Sequence, residues 1–581
     1  MRTESFSRSG WPWKTYMAVL ILGVAVILAR LVYLQVIRGD YYARLAERNH
    51  MRVIERPAPR GVILDREGRV LADSRTVFMV SVVPAEFDSA DVRLLGRLLH
   101  MDPAGVEAEV QRASMRSSYI PCAISTGLTV AEVAGLADNI HRLGGVILDA
   151  VPQRRYPMGR ALCHLLGHVG PSQEGGMGGR IVGRAGLEAV FDTHLQGTPG
   201  YRREIVDAYG RVVEEFGDPG DKLAVPGDSL RLAVDASLQQ LAVDRLEVSG
   251  RPGAMVVLDW RTGDALCLAS WPTFPPNRLS SGITEAGWDS LAGSAEKPML
   301  SRAWAASYPP ASTFKLVTAA YLLERGLMGP DYLPDPCYGT YRLGGTEFGC
   351  WTSHGRLDVV DALAYSCNVF FYQAVQLGSV DGLAEFAGSM GLGRRVTQVL
   401  REERVGLVPD AADLDRMYGS DGWGRGNLLN LGVGQGELLV TPLQMAALAG
   451  RIAGGGSMPP VRVILSADTA ISRPHVPAAG LSDSTMQVLV AGMRRAVTYS
   501  DGTLHRAMGD LPWAVYGKTG TAEVPGEPHS WTIGFLREPR PLAFAVVVEN
   551  AGSGGAAAAE VAAGVLRRYL AADGFPAGGG S

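Results

Sequence analysis

The chain has 581 residues, 47% of them hydrophobic and 20% charged, and a net charge of −4. That length exceeds one ordinary domain, so two or three are expected. The balanced charge gives nucleic-acid binding no support, and six cysteines in a chain this long are too few for a disulfide-built scaffold.

Residues 1–14, MRTESFSRSGWPWK, form a short, mildly basic tail. Residues 15–37 read as a transmembrane helix: the apolar run from Tyr16 to Val36 has about the 20 residues a bilayer requires. Arg30 lies near its far end, where a long side chain reaches the interface, and Trp11, Trp13 and Tyr33 suit interfacial positions. A cleaved signal peptide is the competing reading. The length of the run and the lack of a small-x-small cleavage site weigh against it. Arg38, Arg44 and Arg48 flank the far side as well, so the charge asymmetry is slight. The basic tail is placed in the cytoplasm and the remainder outside the membrane.

Residues 38–228 read as an elongated α+β stalk. A helix leaves the membrane and is broken by Pro57 and Pro59. GVILD and VLADS form a hairpin across REG, with Gly68 in the turn. Residues 88–150 carry Leu, Val and Ala at helical spacing. GRAGLEAVFDTHLQGTPGYRREIVDAYGRVV reads as a helix followed by strands. The Pro- and Gly-rich stretch from Asp218 to Ser229 marks a boundary, and residues 229–573 form the second domain. Its expected elements begin with a strand and helix in LRLAVDASLQQLAVDRL and two strands around Thr262-Gly263-Asp264. Mostly helical segments follow over 311–395, then a buried strand over 541–550 and a last helix in AAAAEVAAGVLRRYLAA. The Gly-rich residues 574–581 read as a disordered tail. No internal repeat is visible.

Arginines far outnumber lysines, which are only Lys14, Lys222, Lys297, Lys315 and Lys518. Lys315 lies one turn after Ser312 in YPPASTFKLVTAA, where Pro309 and Pro310 suit a helix start. In a first turn the free N–H groups favour developing negative charge. A desolvated lysine aimed at the serine oxygen loses its proton readily and serves as a base without any histidine. Ser-x-x-Lys alone is a common accident. Two further motifs follow in order, Ser366-Cys367-Asn368 and Lys518-Thr519-Gly520-Thr521, completing the active-site set of penicillin-interacting serine enzymes.

With these motifs the chain resembles a class B penicillin-binding protein, of the elongation type called penicillin-binding protein 2. The similarity runs through RLVYLQVIRGDYY, RPAPRGVILDREGRVLA, GLEAVFDTHLQGTPGYR, SRAWAASYPPASTFK, GVGQGELLVTPLQMA, KTGTAEV and HSWTIGF. One departure is Ala311, where the family usually has glycine; a methyl group is expected to be tolerated there. The resemblance implies a membrane anchor, a pedestal or dimerisation-type stalk, and an antiparallel sheet with helices like that of the serine β-lactamases. It implies a D,D-transpeptidase that cross-links peptidoglycan stem peptides through an acyl-enzyme during elongation. Ser312 would be the nucleophile and Lys315 its base. Ser366 and Asn368 would relay protons to the leaving D-Ala and hold the substrate amide. Lys518 and Thr519 would bind the terminal carboxylate, beside Gly520 and Thr521. The backbone N–H groups of Ser312 and Thr521 would form the oxyanion hole. Acyl transfer requires no cofactor. Implied partners are lipid-linked nascent glycan, β-lactams that trap Ser312, a SEDS-family glycan polymerase and rod-complex scaffold proteins. The implied location is the bacterial cytoplasmic membrane, single-pass, with the catalytic domain outside.

Cys337, Cys350, His354 and Cys367 lie between the first two catalytic motifs, and three thiolates with an imidazole make a closed tetrahedral zinc site. Asp335 is an alternative to Cys337 as fourth ligand. Some elongation-type relatives carry zinc in this region, so a structural ion would brace the Ser-x-Asn loop. A Cys337–Cys350 disulfide and free thiols are the competing readings, and Cys122, Cys163 and Cys267 read as buried small residues. GVGQG, from Gly432 to Gly436, lacks nucleotide-binding spacing, and Thr441-Pro442 after it starts a helix. His529 is expected to be positional, since Lys315 supplies the base. Two rivals share the fold. A serine β-lactamase or β-lactam sensor would deacylate with water, and a non-catalytic cell-wall scaffold would tolerate loss of Ser312.

Overall fold

The computed structural model describes residues 13–42, 51–116, 118, 121–172, 181–206, 212–215, 222–465, 480–552, 555–572 and 574–575. Trp11, most of the 218–229 boundary's first half and residues 576–581 of the Gly-rich end lie outside them. The first helix, Trp13–Val32, runs on through a wider turn over Tyr33–Ile37. It is the one helix among the described residues long and apolar enough to cross a membrane, and none of it is buried by protein. Its 25 residues would span about 37 Å, enough for a ~30 Å hydrocarbon layer. At the far end the Arg30 and Arg38 guanidinium groups lie 5.4 and 5.8 Å from the Tyr33 ring.

The helix that leaves the span does not reach Pro57. Residues 43–50 are outside the described set, and Met51–Arg56 is a strand, β1. β1 pairs antiparallel with β8 (Gly200–Val206), which continues to β9 (Val212–Glu215). The expected hairpin forms from β2 (Ile63–Leu64) and β3 (Val70–Val82). Gly68 takes φ +88° in its turn, and the Asp65 carboxylate accepts from the amides of Glu67 and Arg69, both at 2.8 Å.

Residues 88–150 are only partly helical. Val92–Leu98, Pro103–Arg116 and Val130–Asn139 are helices, but β4 (Cys122–Thr126) and β5 (Val146–Arg155) also arise there. β5 pairs with β3 from Asp73↔Arg155 to Val82↔Val146. Val80 and Val82 on the sheet then bury against Leu95, Leu99, Val106 and Leu136 on the helices. This tertiary pairing overrides the helical spacing of the apolar residues. A small ladder of β6 (Val169–Pro171) and β7 (Ile181–Gly183) follows.

The stalk base is knotted by ions. Glu188, fully buried, takes Arg154 on one oxygen at 2.6 Å and Arg60 on the other, and Arg60 also reaches Asp192 at 2.7 Å. β10 (Leu230–Arg231), just past the expected boundary, pairs parallel with β2. Ile63, Leu71 and Leu187 of the stalk share one continuous core with Trp304, Phe314 and Leu316 of the second domain.

The second domain is built on an antiparallel sheet of β11 (Gly253–Asp259), β12 (Ala265–Trp271), β15 (Val515–Ala522), β16 (His529–Leu536) and β17 (Leu542–Val548), once the intervening hairpin of β13 (Thr340–Leu343) and β14 (Thr346–Gly349) is counted. Its order is β12-β11-β17-β16-β15, so β15 is an edge. β17 is buried along its whole length. One face packs on the helices Ala236–Val248 and Ala556–Ala572 through Leu246, Phe544, Val561 and Leu566. The other face packs on Pro442–Ala453, whose capping box joins Thr441 and Gln444. The helices Lys315–Glu324, Val359–Ala364, Asn368–Val375 and Asp483–Thr498 lie beyond it, and the β13–β14 hairpin interrupts the region expected to be helical.

Candidate active site

Ser312 sits in a tight turn, Ala311–Phe314, that opens the helix Lys315–Glu324. Ala311 is fully buried with φ +53°, a left-handed conformation that disfavours a Cβ. Glycine would take this φ without that cost. The turn is held from outside: the Ala311 amide donates to the Gly434 carbonyl at 2.8 Å. A Cβ on Gly434 would fall 2.1 Å from the Ala311 oxygen, so only glycine allows the approach. GVGQG thus serves the nucleophile turn. Its Gln435 donates to the Thr521 carbonyl at 3.0 Å and so ties the turn to β15. Sequence reasoning missed Gln435, which lies between two glycines that take positive φ.

The three motifs converge. Lys315 is fully buried, and its Nζ donates to the Ser366 carbonyl at 2.8 Å and to Asn368 Oδ1 at 2.5 Å, with Ser366 Oγ at 3.4 Å. Burial pulls its pKa down to about 8, against an opposing pull from the Cys350 and Cys367 sulfurs. Lys518, equally buried on β15, donates to Ser366 Oγ at 2.8 Å and to the Thr519 carbonyl at 3.0 Å. Burial, then repulsion from Lys315, holds its pKa well below the ordinary lysine value. The expected aim of Lys315 at the Ser312 oxygen is not realised. Ser312 makes no side-chain hydrogen bond among the described residues, because the amine is occupied on the Ser-x-Asn loop. Such contacts commonly tighten only once substrate is bound.

Ser366 itself has φ +59°, a strained position for a residue with a side chain. The loop is fixed on both sides by Ser366 N→Leu363 O at 3.3 Å and Cys367 N→Ala362 O at 3.0 Å. On β15, Gly520 lets the strand close on the nucleophile turn, since a Cβ there would lie 3.0 Å from the Pro310 oxygen. Thr519 is buried with its methyl group against Gly555, and Thr521 is half-buried on the same strand. His529 pairs with Ala522, accepts the Asn550 amide at 3.1 Å and meets the Tyr308 ring edge-on at 5.6 Å. That is a packing role. Behind it Tyr308 donates to Glu549 at 2.7 Å, and Arg302 pairs with Glu549 at 2.7 Å, a network with no motif to betray it.

Cys337, Cys350, His354 and Cys367 also converge, with ligand atoms all within 4.8 Å of one another. His354 Nδ1 lies 3.7 and 3.5 Å from the sulfurs of Cys337 and Cys350. A tetrahedral zinc with Zn–S of about 2.3 Å has ligand–ligand edges of about 3.8 Å, so the donor set fits that ion as a closed, structural site. The Cys350 thiol is held well below its ordinary value, first by the hydrogen bond with Cys367, against the opposing effect of burial, and further by His354 and the amides of Asn368 and Val369. The Cys367 thiol is pushed up by that partner. Asp335 is exposed and its backbone pairs with the Gln373 side chain, leaving its carboxylate outside the group. All six cysteines are unpaired, so the Cys337–Cys350 disulfide is not formed.

Residues 253–567 match the penicillin-binding protein transpeptidase domain and residues 55–232 the penicillin-binding protein dimerisation domain. The chain therefore belongs to the penicillin-binding protein transpeptidase family. It is 29% identical to the peptidoglycan D,D-transpeptidase MrdA of Escherichia coli K12, over 93% of this chain and 90% of that one. Its fold matches penicillin-binding protein 2 of Helicobacter pylori in complex with MreC, with a TM-score of 0.77 at 24% identity, covering 90% of this chain and all of that one. A chain of a peptidoglycan synthase complex that coordinates polymerization and crosslinking matches with a TM-score of 0.71 at 29% identity, over 96% of this chain and 98% of that one.

Proposed function

We propose that the protein is a membrane-anchored peptidoglycan D,D-transpeptidase acting in cell elongation. The observation that carries this is the convergence of Lys315, Ser366, Asn368 and Lys518 beside the Ser312 turn. Ser312 Oγ attacks the carbonyl of the terminal D-Ala–D-Ala bond and gives its proton to Lys315, whose buried amine favours the neutral form. The amides of Ser312 and Thr521 receive the oxyanion. The C–N bond breaks, and the departing D-Ala amine takes a proton through Ser366. An acceptor amine then attacks the ester; the C–N bond forms, the C–Oγ bond breaks, and the amine's proton returns to the serine oxygen. Lys518, with Thr519 and Thr521, holds the terminal carboxylate, and Asn368 holds the substrate amide.

Acyl transfer needs no cofactor. Cys337, Cys350, His354 and Cys367 would hold a structural zinc, which supplies a cross-link and no reaction step. The N-terminal helix supports single-pass anchoring in the cytoplasmic membrane with the N-terminus inside. Similarity to a complex with MreC and to a peptidoglycan synthase complex supports a rod-scaffold protein and a SEDS-family glycan polymerase as partners, with lipid-linked nascent glycan as their common material.

The test is covalent labelling of the full-length protein by a fluorescent penicillin, beside Ser312→Ala and Lys315→Ala. A stable adduct on the wild type alone supports the assignment. No adduct on folded wild type overturns it, and rapid loss of the adduct points to the β-lactamase reading.

A further inference from the structure

The oxyanion hole described above takes one N–H from the nucleophile turn and one from the end of β15. Gly520 brings these two parts together by packing: a Cβ there would lie 3.0 Å from the Pro310 oxygen and 3.1 Å from the Thr313 methyl. An oxyanion hole needs more than contact. One oxygen must sit about 2.7–3.1 Å from both donors, so the strand's end has to stand at one distance and one tilt from the turn.

Gln435 is placed to set both. Its main chain is anchored on the end of the helix Arg425–Gly432, where the Gln435 amide donates to the Asn430 carbonyl and the Gly434 amide to the Leu431 carbonyl, each at 2.9 Å. From that base the dipeptide Gly434-Gln435 reaches in two directions. The Gly434 carbonyl accepts the amide of Ala311, the residue before Ser312. The Gln435 side chain crosses to β15, where Nε2 donates to the Thr521 carbonyl at 3.0 Å and Oε1 accepts the Glu523 amide at 3.4 Å. A primary amide serves a carbonyl and an N–H together in one orientation only, so the side chain is fixed by both bonds.

These bonds fall on the edge of β15 that matters for the reaction. β15 is the outer strand of its sheet, and its ladder partner is β16. In an antiparallel strand the N–H and C=O of one residue point to the same side. Thr521 turns its carbonyl to Gln435, so its N–H faces the side on which GVGQG meets the nucleophile turn. Ala522 is the last residue of β15 paired with β16, and Gln435 holds Glu523 just beyond it.

We propose that Gln435 is a positioning residue for the oxyanion hole: its side-chain amide registers the end of β15 against the loop that also holds the Ser312 turn, so that the Thr521 and Ser312 N–H groups converge on one oxygen. The inference rests on the transpeptidase reading and deepens it, by naming a residue that acts on acyl transfer through Thr521. Gly520 packs on the turn independently of Gln435, so losing the glutamine leaves β15 in place and releases only the strand's end.

The test uses the full-length protein in detergent with benzylpenicillin. Stopped-flow acylation over a range of concentrations separates the dissociation constant of the first complex from the acylation rate. Isotope-edited infrared difference spectra of the acyl-enzyme read the ester carbonyl in the hole. In Gln435→Ala the acylation rate is expected to fall roughly 10–100-fold with the dissociation constant little changed. Removing an oxyanion donor outright costs about 10²–10³-fold, and here the donor is only displaced. The carbonyl band should move to higher wavenumber as its hydrogen bonding weakens. Gln435→Glu has the same shape but, when ionised, cannot donate to the Thr521 carbonyl. It should show both effects, and it replaces Gln435→Ala should that variant not fold. An unchanged acylation rate in a folded variant overturns the inference alone. A slower rate with an unmoved carbonyl band also overturns it, leaving Gln435 a structural tie, as does a loss carried wholly by the dissociation constant. Failure of the wild type to acylate overturns the transpeptidase reading and this inference together.

Discussion

Lys518 Nζ and Ser366 Oγ are hydrogen-bonded at 2.8 Å, and Lys315 Nζ approaches the same oxygen to 3.4 Å from the other side. Two buried amines on one hydroxyl cannot both keep a full charge cheaply. Burial already brings Lys315 to about 8, and only its neutral form accepts the serine proton. The rate of penicillin acylation should therefore rise with pH through about 8 and then level off. A stopped-flow profile from pH 6 to 9.5 measures it, and a flat profile between 7 and 9 would remove Lys315 as the base.

The pair Ala311 and Gly434 makes opposite predictions for two small substitutions. Ala311→Gly relieves a left-handed alanine, which costs about 1–2 kcal/mol, against about 0.5–1 kcal/mol of extra glycine entropy. A net gain of about 0.5–1 kcal/mol is expected, read as a modest rise in the melting temperature. Gly434→Ala drives a Cβ to 2.1 Å from the Ala311 oxygen. It should lower both stability and acylation, because the turn bearing Ser312 must move.

The protein should bind one zinc per chain. Chelation is expected to lower its melting temperature and slow penicillin acylation, since Cys367 lies inside the Ser-x-Asn loop and Cys350 accepts the Asn368 amide. Metal analysis with thermal unfolding before and after chelation checks this. Cys350→Ser should lose the ion, whereas Asp335→Ala should keep it. Equal metal content in all three proteins would sink the assignment of these donors.

In the stalk, Glu188→Ala leaves Arg60 and Arg154 without their shared buried partner. Breaking such a site from one side costs about 3–5 kcal/mol. Thermal unfolding should show a large drop. Asp192→Ala, which removes a more exposed partner of Arg60, should cost less.

Much of the site was legible because its chemistry is carried by short, ordered motifs: Ser312 with Lys315, Ser366 with Asn368, and Lys518 with Thr519 each recur as a fixed spacing. The convergence of Cys337, Cys350, His354 and Cys367 was legible for a similar reason, as rare residues close in sequence. Long-range partners were not. Gln435 reaches Thr521 across 86 residues, and the Tyr308–Glu549 bond spans 241, so no local pattern announces them. In the fold, β17 and the last helix were clear from apolar runs. β1, β4 and β5 were missed because their pairing with β8 and β3 outweighs a local spacing that reads as helix. The resting position of Lys315 also escaped prediction: its nearest acceptors belong to a different motif.

β10 joins the stalk sheet just as the chain crosses into the second domain, and Ile63 shares a core with Phe314, two residues from Ser312. Among the described residues, the join between these parts is a packed core and a β-ladder. A torque applied at the stalk base must be borne by packed side chains and a β-ladder, and those side chains extend to the floor beneath the nucleophile. Through that packed join the two domains should behave mechanically as a stiff lever, in which a load at one end is felt at the other.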